Sequence, residues 1–329
     1  MFRILHDTNY DFIRWWKVMA VITIVFILLG LGSLAVKPPN YSIEFTGGTL
    51  MQLEFAKPPD VGVIRATLDQ ANIPGAEIQQ FGTNREFTVR AQNAAEVAAQ
   101  ANGASTIADR IEQVLKQKFG ADGVRRIRTE AVGPRVGSEL RRGAIIAILL
   151  SFLITLVYLS IRFEWRFATA AVIATSHDVF TTIAFLKLMH LEISLTVVAG
   201  LLTVLGYSLN DTIIIFDRVR EDLRKGRKET FYDTLNRAIN ETLPRSVLTH
   251  ATAFAATLAL LIFAGEIIRP FAWVMAFGIV TGTFSSIYVA SPVLLWIERK
   301  WPRKTDARRS SSTATPTSRT RRSPATATR

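Results

Sequence analysis

Cysteine is absent from the 329 residues. That excludes disulfide frameworks, thiolate metal sites and cysteine nucleophiles together. Histidine is scarce. His6, His177, His190 and His250 are the four, too scattered along the chain to suggest a metal cluster. Charge is thin, with 20% charged residues against 49% hydrophobic ones. A net charge of +12 beside a mean hydropathy of +0.24 does not fit an ordinary soluble enzyme. No nucleophile–base pair and no phosphate loop stands out, so no enzyme is expected.

The apolar residues come in blocks. Residues 18–36, 143–161, 167–186, 193–216, 247–264 and 271–297 are each long enough to cross about 30 Å of hydrocarbon at about 1.5 Å per residue. Arg14, Trp15, Trp16 and Lys17 give the first block a positive flank with aromatic interface anchors. Ser33-Leu34-Ala35 weakly imitates a cleavage site, but the apolar run exceeds the roughly 7–15 residues of a signal peptide, so an uncleaved anchor is expected.

Lysine and arginine set the expected orientation. Residues 1–17 hold three, the turn 162–166 two, the connection 217–245 eight and the tail from 298 ten, whereas the other short loops hold Lys187 and Arg269 alone. Both termini and the loop 217–246 are therefore expected in the cytoplasm, and residues 37–142 outside. The outer stretch is nearly balanced, with 14 basic and 12 acidic residues. The basic excess is thus topological and calls for no nucleic acid. The Ser/Thr/Arg/Pro/Ala-rich tail 298–329 is expected to be disordered and drawn to anionic lipid.

Residues 49–55 alternate as a strand should, with Met51, Leu53 and Phe55 opposed to Leu50, Gln52 and Glu54. A helix over 61–71, a stop at Asn72-Ile73-Pro74-Gly75, short strands at 76–81 and 86–90, a helix within 94–119 and a strand at 124–132 complete a β-α-β-β-α-β order. Gly47-Gly48 predicts a tight bend. The fold class is an α-helical polytopic membrane protein with six transmembrane helices and a small α+β, ferredoxin-like periplasmic domain.

Ionisable groups in lipid need a partner or a water path. Asp178 lies near the middle of the third block, beside His177 and close to Thr175, Thr181 and Thr182. In the fourth, Gly200, Thr203 or Val204, Tyr207 and Asp211 share a helical stripe, with Ser208 and Asn210 beside it. Arg245 opens the fifth and stands over Thr249 and Thr252, so an Asp211–Arg245 ion pair is expected. A carboxylate poised between burial and a cation can exchange protons, while a static structural pair is the plainer reading of the same residues. Hydroxyl neighbours suit Na⁺ as well as H⁺. Gly278 and Gly282 form a GxxxG in the last block.

Residues 43–49 (IEFTGGT), 132–140 (VGPRVGSEL), 208–212 (SLNDT) with 216–221 (FDRVRE), and 239–246 (INETLPRS) occur in this order across six blocks. Together they resemble the SecF family of the bacterial Sec protein translocase, within the resistance-nodulation-division superfamily, over about residues 2–303. The resemblance implies an inner-membrane, multi-pass subunit paired with SecD beside the SecYEG channel, using the proton gradient to draw preproteins outward without a cofactor. It implies that Asp211 is the family's membrane aspartate, Arg245 its basic partner, and His177 and Asp178 the His-Asp of the third span. Glu44 stands where the family often has Asp, and Pro244 precedes the arginine. A half-transporter exporting lipid or small molecules by the same relay is the alternative, but such exporters usually carry larger outer domains. A scaffold without ion transport would leave Asp178, Asp211 and Arg245 unexplained.

Overall fold

A computed structural model describes residues 8–73, 75–91, 104–226, 229–265 and 267–303. The tail beyond Arg303 and the start of the expected 94–119 helix lie outside the described residues.

Among the described residues, six long apolar helical stretches dominate. They are α1 (Trp16–Gly32), α5 (Pro134–Arg162), α6 (Trp165–Leu188), α7 (Leu195–Arg224), α8 (Phe231–Phe263) and a last composite stretch. That stretch joins α9 (Arg269–Ser285) to α10 (Ser291–Lys300) through a π-helical turn, Ser286–Ala290. Pro292 explains the turn: it has no N–H for the carbonyl four residues back, and its ring would strike that carbonyl. The Ser291 hydroxyl instead donates to the Ser286 carbonyl, 2.9 Å away. One extra residue per turn results, a device common at functional sites.

Helices α6, α7 and the α9–α10 stretch form the inner layer, and their buried faces carry Ala, Gly, Ser and Thr as often as large apolar residues. α1 and α5 lie outside it and expose Val21, Ile24, Leu28, Leu149, Leu153 and Ile154. A helix apolar all round belongs in lipid rather than water. Trp165, Trp296 and Trp301 pack edge to face at one end, with the Lys300 ammonium over two of the rings, as interfacial anchors do.

Between α1 and α5 lies an α+β domain. The short helix α2 (Ile43–Thr46) leads into it, and it runs β1 (Gly48–Phe55), α3 (Val61–Gln70), β2 (Glu77–Gln80), β3 (Glu86–Ala91), α4 (Ala104–Phe119) and β4 (Val124–Val132). The sheet order is β2-β3-β1-β4, antiparallel throughout. This is compatible with a split β-α-β-β-α-β unit. Met51, Leu53, Phe55, Phe87 and Val89 bury one face of the sheet against Ile64, Leu68, Ile111 and Leu115 of α3 and α4. Asp60 caps α3 by accepting from the Gly62 amide at 2.7 Å.

Gly47 and Gly48 have φ of 74° and 128°, a region L side chains rarely adopt. A Cβ on Gly47 would also sit 2.8 Å from the Pro134 Cα, and one on Gly137 would sit 2.9 Å from the Gly47 nitrogen. The chain therefore enters and leaves the domain through one tight crossing.

The expected loop 217–246 is corrected. α7 runs on to Arg224 and α8 begins at Phe231. Charged residues continue both helices beyond the apolar blocks, because Arg218 pairs with Glu221 (2.6 Å) and Glu241, and Arg237 pairs with the buried Asp222 (3.0 Å). Thr230 caps α8. Pro244 neither ends nor precedes a helix; it lies inside α8 and withholds one helical hydrogen bond there.

Candidate functional site

Asp178 is wholly buried where α6, α7 and α9 meet. Its Oδ2 accepts from the Ser208 hydroxyl (2.5 Å) and the Ser285 hydroxyl (2.7 Å). Its Oδ1 lies 3.2 Å from the His177 Nδ1. Three helices are thus joined through one carboxyl group. The His177 Nε2 is buried without a hydrogen-bond partner among the described residues. Beside this node the Thr212 and Ser286 hydroxyls meet at 2.9 Å, so successive serines, the last of α9 and the first of the π turn, serve two partners.

Glycines make the approach of α7 and α9 possible. A Cβ on Gly278 would lie 2.3 Å from the Val204 Cγ2, and one on Gly282 would lie 3.0 Å from the Ser208 Cβ. Gly200 faces Val274 and Phe271 in the same way. The expected single stripe on α7 therefore divides. Gly200, Val204 and Ser208 meet α9, while Tyr207 and Asp211 meet α8.

Asp211 is 2% exposed. The Ser246 hydroxyl donates to its Oδ1, and its Oδ2 is buried without a hydrogen-bond partner among the described residues. One turn along α7, the Tyr207 hydroxyl donates to the Thr249 carbonyl at 2.9 Å. The Tyr207 ring stands edge-on to His250 with centroids 5.1 Å apart. The His250 Nδ1 is likewise buried and unpartnered. Two i, i+4 pairs, Tyr207 with Asp211 and Ser246 with His250, thus face each other across one seam.

The expected Asp211–Arg245 ion pair is not formed. Arg245 is exposed and no ion pair joins it to Asp211. It lines a cavity of about 940 Å³ at the end of the bundle remote from the α+β domain, with Arg162, Asp217, Arg218, Glu241 and Pro244. The reason is angular: neighbouring helical residues point about 100° apart, so the face of α8 that gives Ser246 to Asp211 turns Arg245 away. Asn210 and Thr249 are exposed, as are Thr203 and Thr252. Sequence reasoning passed over His250, Ser246 and Ser285 as site residues. The i, i+4 match of Ser246 and His250 to Tyr207 and Asp211 was a readable signal for the first two; nothing local marks Ser285.

Asp178→Ala is expected to destabilise the bundle, at about 1–3 kcal/mol for each buried donor left without an acceptor. Asp178→Asn keeps an acceptor oxygen and should cost less. Thermal unfolding of the detergent-solubilised protein, followed by fluorescence, orders wild type above Asp178→Asn above Asp178→Ala.

Six apolar helices with carboxylates locked into the seams between them, and a small α+β domain between the first and second, define a multi-pass membrane protein of transport type. The family model for the protein export membrane protein SecD/SecF, C-terminal, matches residues 110–300, and that for the SecD/SecF GG motif matches residues 32–59. The chain belongs to this SecD/SecF family of protein-export membrane proteins. It is 61% identical to the protein translocase subunit SecF of Gemmatimonas aurantiaca, over 93% of this chain and 92% of that one. Identity to the subunit of the same name in Vibrio alginolyticus is 41%, over 90% and 92%. Among solved structures, SecDF of Thermus thermophilus, described as a translocon-associated membrane protein, matches at 34% identity and a TM-score of 0.77, over 89% of this chain and 39% of that one. SecDF in a super-membrane-facing form matches at 33% identity and a TM-score of 0.66, over 95% and 41%. The chain spans about two fifths of the length of these SecDF chains.

Proposed function

We propose that this protein is the SecF-type half of a SecD–SecF unit in the bacterial inner membrane, where it couples the proton gradient to preprotein export through SecYEG. It acts as a non-enzymatic subunit, with both termini in the cytoplasm and the α+β domain in the periplasm. The observation that carries the reading is the Asp211 Oδ2, buried within a membrane seam and without a hydrogen-bond partner among the described residues. Such an oxygen is a place for a proton or a cation to arrive. His250 and Tyr207 stand one turn away, and Arg245 waits at the cavity beyond. The resting arrangement has Ser246 on the carboxylate; a swing of the long Arg245 side chain toward Asp211 would be the other half of the cycle.

Pairing with SecD is supported by the surface. Asn210 is exposed within α7, and an amide side chain facing outward in a span calls for another helix, whereas the exposed Thr203, Thr249 and Thr252 hydroxyls donate to carbonyls of their own helices. The lysine and arginine asymmetry of the loops supports the orientation.

The test is export of a labelled preprotein into inverted membrane vesicles holding this chain with SecD and SecYEG. A proton gradient should stimulate export after the ATP-driven step. If a sodium gradient alone stimulates it, the coupling ion is Na⁺; stimulation by neither removes the motor reading. In the same assay Arg245→Ala should lose at least three quarters of the stimulation at unchanged protein level.

A further inference from the structure

The segment between α1 and the α+β domain does not hang free. The Lys187 ammonium donates to the carbonyls of Lys37 (2.9 Å) and Pro38 (3.0 Å). The Ile193 amide donates to the Asn40 carbonyl (2.7 Å), and the Ser42 amide donates to the Ile193 carbonyl (2.9 Å). Tyr41 and Ile193 thereby form a short parallel bridge. A Glu44 carboxylate oxygen then accepts from the Leu195 amide, 2.6 Å away, at the first residue of α7. An anion at a helix N-terminus is favoured by the unpaired amides and the dipole there. The strap of residues 37–46 is thus laced to the α6–α7 loop and ends as a cap on α7.

Arg90 of β3 reaches into this lacing. Its guanidinium donates to the Tyr41 carbonyl and, at 3.0 Å, to the Thr46 hydroxyl. It also pairs with Glu192 of the α6–α7 loop at 3.3 Å and with Glu77 of β2 at 3.4 Å. The Arg90 side chain is 12% exposed. A planar guanidinium presents five donors in a fixed fork, against the three of an ammonium, and so can hold these four partners in one geometry. Partial burial holds the Glu192 carboxyl above its ordinary value, and the Arg90 charge opposes that rise.

We infer that Arg90 is a positioning residue that couples the α+β domain to α7, through Glu192, Tyr41 and the Glu44 cap. The inference rests on the proposed function. α7 is a continuous helix, and Asp211 lies 16 residues beyond Leu195, about 24 Å along it. A rigid rod carries a displacement of its end to its middle. Without the clamp, the domain and the seam still exist, but each moves without the other.

The assay is the vesicle export reaction, with the full chain, SecD and SecYEG, and a pH-sensitive dye reporting proton movement. Arg90→Ala should lower gradient-stimulated export at least fivefold while Asp211-dependent proton movement stays within twofold of wild type. Arg90→Lys should recover part of the export. Glu192→Ala changes a half-exposed loop residue and should lower stimulation at least twofold, again with proton movement kept. Full stimulation in Glu192→Ala overturns the inference, whatever Arg90→Ala does. Parallel loss of proton movement and export in Glu192→Ala also overturns it, because a merely structural contact would act on both. If the wild-type complex shows no stimulation that depends on Asp211, the functional reading fails and the coupling falls with it.

Discussion

Asp211→Asn is expected to abolish gradient stimulation of preprotein export while the protein remains folded, inserted and assembled. The carboxamide has the size of the carboxylate, and its oxygen can still accept from the Ser246 hydroxyl that meets Oδ1. Packing against α8 is therefore kept. What is removed is the ability to bind and release a proton or to hold a cation. An energy-coupling step that runs through this side chain has no graded substitute, so the stimulated increment should fall at least tenfold, to the ATP-driven baseline. Export into vesicles with an imposed gradient reads the effect, and immunoblotting of the membranes checks the protein level. Asp211→Glu keeps the charge on a longer arm and should retain a fraction of the stimulation. Undiminished stimulation in Asp211→Asn would mean that the seam is only a packing surface.

The second large effect is steric. Gly278→Val would place a Cβ 2.3 Å from the Val204 Cγ2 and 2.6 Å from its Cγ1. α7 and α9 would have to part. Overpacking of a close-packed interface costs about 1–3 kcal/mol, and more where backbones must move. The separation also reaches the Asp178 node, because Gly282 and Ser208 lie one turn along the same contact. Loss of both thermal stability and gradient-stimulated export is expected. Gly282→Ala, whose Cβ would meet the Ser208 Cβ at 3.0 Å, should be milder. Gly143→Ala in α5 meets nothing within 4 Å and serves as the control. Unfolding curves of the three variants in detergent, measured beside wild type, give the order.

What could be read from the chain follows from the scale of each signal. The apolar blocks and the alternation of Met51, Leu53 and Phe55 are statements about burial over many residues, and the six apolar helices and the small α+β domain follow from them. Helix ends beyond the blocks were not legible by hydropathy. Arg218, Glu221, Asp222 and Arg237 read as loop because they are charged, yet Arg218 pairs with Glu221 along α7 and Arg237 of α8 reaches across to Asp222 as the two helices leave the bundle. The seams were half legible. The polar positions in α6 and α7 stand out in an apolar background, but partner choice depends on rotation about the helix axis. One residue separates Ser246 from Arg245, and that single step decides which side chain meets Asp211. The π turn was visible only as Pro292, whose effect on register depends on the serines around it.

The crossing at Gly47 and Pro134 has a consequence for modularity. Gly48 pairs directly with Val132 in the sheet, and Gly47 lies against Pro134, two residues further on. The two junctions of the α+β domain with the membrane bundle are therefore nearly coincident in space. Such a domain is a cassette: a short peptide could bridge its ends, or a larger fold with adjacent termini could replace it, without re-threading any of the six spans.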